Sequence, residues 1–246
     1  AFSLQQTLKA ILKILNKKFI MDVCLIPARS GSKRLKNKNI IDFFGKPIIS
    51  YPIKTAIKSR LFNKIIVSTN SKKIARISNK YGAESPFTRP EKTSSDYATD
   101  YDVIEHFLNY AKKQNFKIRL LCYIYPANPL LKVATLKKCK KLLLDSKSKK
   151  IITVGKFSYP IQRALVKNTF GNIYFREKKN KKKRSQDLNS FYHDAGQCYW
   201  FDLRRIKNIR NLNSNIKGVE LKKFEFLDVD TKEDFNILKK IYKLNL

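Results

Sequence analysis

The sequence has few residues of the kinds that hold metal ions or form covalent cross-links. It contains four cysteines and two histidines. None of them forms a C-x-x-C pair or the mixed Cys/His spacing of a zinc site. Cys24 and Cys122 fall inside apolar runs, where cysteine packs as a small hydrophobic residue. These patterns argue against a disulfide framework and a structural zinc site, and they predict a protein of the reducing cytoplasm.

Acidic residues are also scarce. The chain has 19 Asp and Glu against 53 Lys and Arg, which gives a formal net charge of +34. Such a charge is typical of proteins that bind nucleic acid, an anionic membrane or a polyanionic substrate. The lysines are spread along the chain with many Asn and Ile, which is the composition that an AT-rich genome imposes. The one dense basic run, 178–184, is expected to be a solvated loop. Because no RRM, KH or helix-turn-helix signature is present, nucleic-acid binding is the distant alternative and no nucleic-acid partner is expected.

Long apolar runs are absent as well. No run reaches the roughly 18 residues that span a bilayer, so no membrane partner is expected. The first twenty residues place Leu and Ile side chains on one helical face (Leu4, Leu8, Ile11, Leu12 and Leu15). They lack a basic n-region and a small-residue cleavage site, which argues against a signal peptide. The sole methionine, Met21, precedes the first apolar strand. We therefore predict that residues 1–20 are an N-terminal extension and that residues 21–246 form the domain.

What the sequence does contain is an alternation of strand and helix patterns. Apolar strands are predicted at 23–28, 64–69, 118–126 and 150–155, with helices at 48–59, 72–81, 100–113 and 134–145. This order predicts a three-layer α/β fold with a mostly parallel sheet that helices cover on both faces. Ligands of such sheets bind beyond the carboxyl ends of the strands.

The pattern changes in the second half of the chain. From about 156 to 200 the segments are short and aromatic, which predicts a small antiparallel excursion that serves dimerisation or the substrate site. The regular pattern resumes with a strand at 224–230 and a helix at 232–244. Asp230 or Thr231 is placed to cap that helix.

The loop PARSGSKRLKNKN, residues 27–39, follows the first predicted strand. A loop with this composition can expose backbone N–H groups to an anion, while Arg29, Lys33 and Lys38 surround the anion with charge. That arrangement suits a triphosphate. The loop is not a Walker A motif, because G-x-x-x-x-G-K-[ST] is absent. The alternative is an ordinary basic surface loop.

A series of motifs follows in a fixed order: IPARSGSKR with KN, then GKP, VSTN, YGA and RP. This order resembles the acylneuraminate cytidylyltransferase family, and the resemblance runs from Met21 to the end of the chain. It implies a Rossmann-like nucleotidyltransferase fold, a homodimer, Mg²⁺ as cofactor and transfer of CMP from CTP to a nonulosonic acid with release of pyrophosphate. YPIQRAL and RSQDL with FYHDAGQ are similar to the pseudaminic acid branch of the family, and N-acetylneuraminate, legionaminate and Kdo stay open as alternatives.

The resemblance also implies roles for individual residues. Nucleotide-binding positions match Arg29, Ser30, Gly31, Ser32, Lys33, Lys38, Asn39, Arg89, Asp96 and Ala98, and the segment of the last two continues to Asp100. Catalytic positions match Arg29, Lys38, Asp228 and Asp230. The chain departs from the family at Asn70, where Asp is usual; Asn accepts a hydrogen bond but carries no charge. This departure leaves open an enzyme fold kept as an inactive binding module.

The segment LDVDT, 227–231, places two carboxylates on one face if it is extended, because residues i and i+2 then point the same way. Two such carboxylates suit Mg²⁺, which prefers carboxylate oxygens and bridges substrate phosphates, and the family resemblance implies that Asp228 and Asp230 bind it. The alternative is capping of the last helix. The general base is left open between these two aspartates and a metal-bound hydroxide.

The sugar-binding positions are expected mainly in the aromatic excursion. They are Asn128, Arg163, Arg184, Gln186, His193, Asp194 and Gln197. Arg163 and Arg184 are predicted partners of the sugar carboxylate, because a guanidinium binds a carboxylate bidentately. Asn128 stands where the family commonly has a small hydroxyl residue. The alternative for each residue in the excursion is a packed aromatic arm at a dimer interface.

Overall fold

A computed structural model of the protein describes residues 19–212 and 214–244. Most of the predicted extension, residues 1–18, lies outside the described residues. The first strand begins at Phe19, and Ile20 and Met21 pair with Lys117 and Ile118 in the same ladder. The domain boundary predicted at Met21 therefore falls inside a strand, and the proposed extension stays a prediction.

Strands and helices alternate through the first half of the described chain. The strands are β1 Phe19–Pro27, β2 Asp42–Phe43, β3 Lys46–Pro47, β4 Lys64–Ser68, β5 Phe116–Ile124, β6 Lys150–Lys156, β7 Leu165–Lys167, β8 Ile173–Phe175, β9 Tyr192–Asp202 and β10 Ile216–Leu221. The α-helices are α1 Ser50–Ser59, α2 Lys72–Lys80, α3 Asp100–Lys113, α4 Val133–Asp145 and α5 Lys232–Leu244. Within 19–212 and 214–244, every helix is too short or too polar to span a lipid bilayer.

The central sheet has six strands in the order β10-β6-β9-β5-β1-β4. Only β9 runs antiparallel to its neighbours β5 and β6, and the other pairs are parallel. This architecture confirms the predicted α/β fold with a mostly parallel sheet. The predicted strands that became β1, β4, β5 and β6 and all five predicted helices are present, with end points that differ by a few residues.

Two predictions about the second half need correction. The aromatic segment was expected to leave the main sheet up to about residue 200, but β9 inserts between β5 and β6, so the excursion is limited to about 157–191 and contains the β7–β8 hairpin. The strand predicted at 224–230 is not formed, and the edge strand is β10 instead. Val229 is buried and Leu227 partly buried in the cluster that contains Phe235 and Leu238 of α5, so these two residues pack on a helix rather than pair in the sheet. Strand β10 was not predicted, because most side chains of its sequence IKGVEL are exposed and it therefore has no apolar run.

Apolar side chains fill both faces of the sheet. In β1, Cys24 and Ile26 point to the face covered by α1 and α4, while Val23 and Leu25 point to the face covered by α3. Successive strand residues point to opposite faces, so a strand between two helical layers must be apolar throughout. The burial of β1 thus explains the continuous run that predicted it, and it fixes where the following loop emerges.

Candidate active site

A pocket of about 230 Å³ lies at the carboxyl ends of β1 and β5. The predicted site residues that line it are Arg29, Ser32, Lys33, Lys38, Asn39, Arg89, Ala98 and Asp230. They come from four separate stretches of the chain, which the parallel strands bring to one edge of the sheet. Ser30 and Gly31 lie in the same loop but do not line the pocket.

Two asparagines hold the loop that follows β1. The Asn39 side-chain amide donates to the Arg29 carbonyl over 2.8 Å. Asn70 Oδ1 accepts from the Ser30 backbone N–H at 3.0 Å and lies 3.3 Å from the Ser30 hydroxyl. Both contacts of Asn70 with Ser30 need only an uncharged acceptor. Asn70 therefore holds the loop in place although the family usually has Asp at this position.

One carboxylate lies across the first two cations of this loop. Asp96 contacts Arg29 Nη1 at 2.8 Å and Lys33 Nζ at 2.6 Å. Hydrogen bonds from Lys33 and Arg29 lower the pKa of Asp96 below its ordinary value. The Asp96 side chain is 40% exposed, and exposed ion pairs contribute little free energy. An incoming phosphate can therefore compete with this carboxylate for the two cations.

A second carboxylate joins the two ends of the domain. Asp230 contacts Lys38 Nζ at 3.1 Å and Arg34 Nη2 at 2.8 Å, and its side chain is 30% exposed. The cationic loop and the LDVDT segment therefore meet at one pocket, although Lys38 and Asp230 are 192 positions apart in the sequence. Arg34 was not among the predicted site residues.

The cap of α5 explains why the Asp230 carboxylate is available to the pocket. The Asp234 N–H donates to the Thr231 hydroxyl over 3.1 Å, and Asp234 Oδ2 accepts from the N–H groups of Asp230 and Thr231. Thr231 thus caps the helix, and Asp230 contributes only its backbone. Asp228 is exposed and does not line the pocket. Among the described residues, no three His, Cys, Asp or Glu side chains cluster closely enough to hold a metal by themselves.

Arg89 forms a fixed cationic wall of the pocket. Arg89 is 3% exposed, and its Nε donates to the Ser94 hydroxyl over 3.1 Å. Burial lowers the pKa of Arg89 from its ordinary value, although a guanidinium remains charged at any physiological pH. Because the backbone N–H of Arg89 also donates to the Thr69 carbonyl, this arginine is tied to the end of β4.

Three groups on the pocket floor were not predicted as individual site residues. Asp100 Oδ1 accepts from the Tyr123 hydroxyl over 2.6 Å, and Asp100 Oδ2 accepts from the Tyr125 hydroxyl. Burial, and next the Asp100 charge, raise the pKa of both tyrosines, which keeps them protonated. Tyr125 directly follows β5, so the rule that ligands gather at strand ends would have found it.

Some of the predicted sugar-site residues connect loops near the pocket. The Asn128 side-chain amide donates to the Gln197 carbonyl over 3.1 Å, and the Gln197 amide donates to the Glu225 carbonyl over 2.9 Å. The His193 ring packs between Phe157 and Phe226, with centroid distances of 5.0 and 5.5 Å. These contacts fix β9 against the segments that surround it.

None of the predicted sugar-site residues lines the pocket: Asp194 is exposed on β9, and the others not yet described lie in the excursion. Arg184 is exposed and forms a bidentate pair with Asp187 over 2.8 and 3.1 Å. Arg163 Nη1 donates to the Ser185 hydroxyl over 3.3 Å, and Gln186 is exposed on the same turn. Their role toward a sugar carboxylate stays a prediction.

The decisive likeness covers nearly the whole chain. Residues 23–245 match the sequence pattern that defines the cytidylyltransferases. The chain belongs to the cytidylyltransferase family. This membership confirms the predicted family and the predicted class of nucleotidyltransferase enzymes.

Individual cytidylyltransferases agree with this assignment. A pseudaminic acid cytidylyltransferase of Campylobacter jejuni is 36% identical over 225 residues, which cover 91% of this chain and 97% of that protein. A Helicobacter pylori protein named as both a pseudaminic acid cytidylyltransferase and a UDP-sugar hydrolase is 34% identical, over 84% of this chain and 40% of that protein. A solved CMP:2-keto-3-deoxy-manno-octonic acid synthetase complexed with CTP has a TM-score of 0.65 and 17% identity, covering 93% of this chain and 100% of that one. That structure shows the shared fold.

Proposed function

We propose that this cytidylyltransferase transfers CMP from CTP to pseudaminic acid. The observation that carries the proposal is the contact of Lys38 and Arg34 with Asp230, which joins the cationic loop and the LDVDT segment at one pocket. The choice of sugar is supported by the relatives named for pseudaminic acid, at 34–36% identity. Relatives named for N-acylneuraminate and legionaminate are 26–29% identical.

In the proposed reaction the basic loop binds the triphosphate. Arg29 and Lys33 exchange Asp96 for phosphate oxygens, and Lys38 takes the adjacent phosphate. The anomeric hydroxyl of the sugar acid attacks the α-phosphorus in line, and pyrophosphate leaves. These cations stabilise the negative charge on the leaving group, and the rest of the catalysis is positioning.

The pocket also offers groups for the nucleoside. Arg89 is buried and held rigidly, so it can donate hydrogen bonds to the base without a loss of side-chain entropy on binding. Asn39 Oδ1 is buried and has no hydrogen-bond partner within the described residues. A buried acceptor without a partner is costly, and a ribose hydroxyl would satisfy it.

Asp228 and Asp230 fit the magnesium ion that the proposed reaction uses. They flank the buried Val229, so both carboxylates point outward from the core. Mg²⁺ in nucleotide enzymes is bound by one or two carboxylates together with substrate phosphates. Asp230 lies beside the triphosphate loop, and Asp228 is two positions away on the exposed side of the same segment. When bound, the ion neutralises charge on the phosphates.

A panel of sugar acids tests the proposed function. The purified protein is incubated with CTP, Mg²⁺ and one of pseudaminic acid, N-acetylneuraminate, legionaminate or Kdo, and pyrophosphate release is measured. We expect the highest kcat/KM with pseudaminic acid and no release without a sugar acid. Highest activity with another acid would contradict the choice of sugar, and no activity with any would contradict the reaction.

The metal assignment has its own test. Asp228→Ala should bind CTP, measured by calorimetry, but should lose turnover by about a hundredfold or more, because charge on the leaving group is no longer offset. Asp145→Ala removes an exposed carboxylate on α4 and serves as the matched control. Turnover by Asp228→Ala at the wild-type level would remove Asp228 from the metal site.

The homodimer is proposed from the apolar surface of the excursion. Large apolar side chains are exposed there, namely Tyr159, Leu165, Phe170, Ile173 and Tyr174. Leu165 and Ile173 lie on one face of the β7–β8 hairpin, and exposed apolar groups that share a face mark interaction surfaces. Light scattering should give twice the chain mass for the wild type and the chain mass for Ile173→Glu. A wild type that is monomeric at micromolar concentration would contradict the dimer.

A further inference from the structure

Strand β9 contains a bulge beside the active site. Ile152 pairs with Tyr199 and Val154 pairs with Asp194, so residues 195–198 of β9 lie opposite Thr153 alone. The Thr153 hydroxyl lies 3.2 Å from both the N–H and the carbonyl of Cys198. Gly196 takes a left-handed φ of +58° within the bulge, which a glycine adopts at little cost. Bulges of this kind redirect side chains near active sites.

The bulge turns Asp194 back toward its own strand. The Tyr199 hydroxyl donates to Asp194 Oδ2 over 2.5 Å, and Asp194 Oδ1 accepts from the Gly196 N–H over 2.8 Å. Without the bulge, residues five apart in a strand would lie on opposite faces and about 16 Å apart. The contact between Asp194 and Tyr199 therefore exists only because of the bulge.

Tyr199 in turn packs against the floor of the nucleotide pocket. Its hydroxyl lies 3.4 Å from the Tyr125 hydroxyl, and the two rings meet edge to face with centroids 5.6 Å apart. Tyr125 donates its single proton to Asp100, while Tyr199 donates to Asp194. Each of these two phenols thus donates to one carboxylate. Because the two rings pack against each other, they set the distance between Asp100 and Asp194.

The backbone reinforces the same connection. The Gln197 carbonyl in the bulge accepts from the Tyr125 N–H over 3.3 Å and from the Asn128 amide over 3.1 Å. Burial, followed by the neighbouring phenol of Tyr125, raises the pKa of Tyr199, so its hydroxyl keeps its proton.

From these contacts we infer that Tyr199 is a positioning residue, which fixes the Asp194 carboxylate at a set distance from the nucleotide pocket and so orients the sugar acid. This inference rests on the proposed function, because it takes Asp194 as one of the sugar-binding positions that the family resemblance implies. Tyr199 is 7% exposed and does not line the nucleotide pocket, so its phenol acts through Asp194 rather than on CTP.

The test is Tyr199→Phe, which removes the hydroxyl and keeps the ring. We expect the KM for the sugar acid to rise about tenfold, as the loss of a hydrogen bond to a charged acceptor predicts. The dissociation constant for CTP should change by less than about twofold. Tyr51→Phe is the matched control, because the Tyr51 hydroxyl donates to the Phe43 carbonyl away from the pocket; both constants should stay at wild-type values.

A double-mutant cycle separates positioning from general destabilisation. Asp194→Asn should raise the sugar KM, and adding Tyr199→Phe to it should have almost no further effect, because residues that act through one contact are not additive. Additive effects, or equal losses for CTP and sugar, would overturn the inference. Should Tyr199→Phe fail to fold, Asp194→Glu moves the carboxylate by one methylene and keeps its charge; a wild-type sugar KM in that variant would overturn the inference as well.

The wild-type panel distinguishes this inference from the proposed function. A wild type that uses pseudaminic acid, with a Tyr199→Phe variant that has the same sugar KM, removes the positioning role alone. A wild type that is inactive with every sugar acid removes the proposed function and the positioning role with it.

Discussion

The two ends of the central sheet carry ion pairs built from the same residue types but buried to different degrees. At the carboxyl end, Asp96 and Asp230 are 40% and 30% exposed, and each contacts two cations. At the amino end, Asp22 and Asp202 are 7% and 1% exposed, and each also contacts two cations. The partners at the amino end are Arg119 and Lys140 for Asp22, and Arg204 and Arg205 for Asp202.

The difference in burial separates ion pairs whose cations can bind a ligand from ion pairs that stabilise the fold. A buried carboxylate that loses its partners is left desolvated, so the buried pairs are fixed parts of the fold. An exposed pair gains little free energy, so a phosphate can replace the carboxylate without loss of stability. At the carboxyl end of the sheet, phosphate can therefore replace the aspartate carboxylates as the partner of the cations. At the amino end it cannot.

The largest effect is expected at the carboxyl end. Lys38→Ala should lower kcat/KM by about a hundredfold to a thousandfold, because one fixed cation on the phosphates is lost. The melting temperature should hardly change. Lys36→Ala removes an exposed lysine of the same loop and should behave as the wild type. A Lys38→Ala variant that unfolds at a much lower temperature would break the distinction between the two ends.

The reverse result is expected for the buried pair. Asp22→Asn should lower the free energy of unfolding by about 2 kcal/mol, because Arg119 and Lys140 lose a charged partner. Urea denaturation measures this change, and kcat/KM at 25 °C should stay near the wild-type value. Asp145→Asn, an exposed carboxylate on α4, is the control. A stable Asp22→Asn variant with lost activity would reverse the assignment of the two ends.

Low pH should weaken the buried ion pair of Asp22 at the amino end of the sheet. Burial alone would raise the pKa of Asp22, but the hydrogen bonds from Arg119 and Lys140 outweigh it, and the pKa lies below its ordinary value. The stabilisation is therefore present above about pH 4 and is lost as the pH falls through the folded-state pKa. The unfolding free energies of the wild type and Asp22→Asn should converge between pH 4 and pH 2. Parallel curves over this range would exclude Asp22 as the titrating group.

The smallest effect is expected at Asp96. Asp96→Asn removes the charge that competes with phosphate for Arg29 and Lys33, so CTP should bind about twofold more tightly. Calorimetry at low salt measures the change, and Asp187→Asn in the excursion is the control. Weaker CTP binding would mean that Asp96 contacts the nucleotide itself, as the family resemblance implies.

Much of the fold follows from local patterns in the sequence. The continuous apolar run of β1 and the mixed apolar and polar pattern of α3 reflect burial on two faces and on one face, respectively. Strand β10 could not be predicted in this way, because an exposed edge strand has no apolar run. Segment 224–230 has several apolar residues, but it forms no strand, and its Leu227 and Val229 pack on α5.

The residues of the candidate site also fall into two groups, those that the local sequence predicts and those that depend on distant partners. The cationic loop was predictable, because Arg29, Lys33 and Lys38 are adjacent in the chain and follow a buried strand. Arg34 and Asp100 acquire their importance from partners far away in the sequence, Asp230 and Tyr125. Local composition does not distinguish them from other surface charges.

The sequence by itself determined the α/β alternation, the family and the basic loop at the end of the first strand, since each of these depends on residues that are close in the chain. Only the tertiary structure decided that Asp230 meets Lys38 across 192 positions, that β9 inserts antiparallel between β5 and β6, and that a bulge brings Asp194 to Tyr199. The physical reason is that periodicity records which face of an element is buried. It does not record which distant element covers that face.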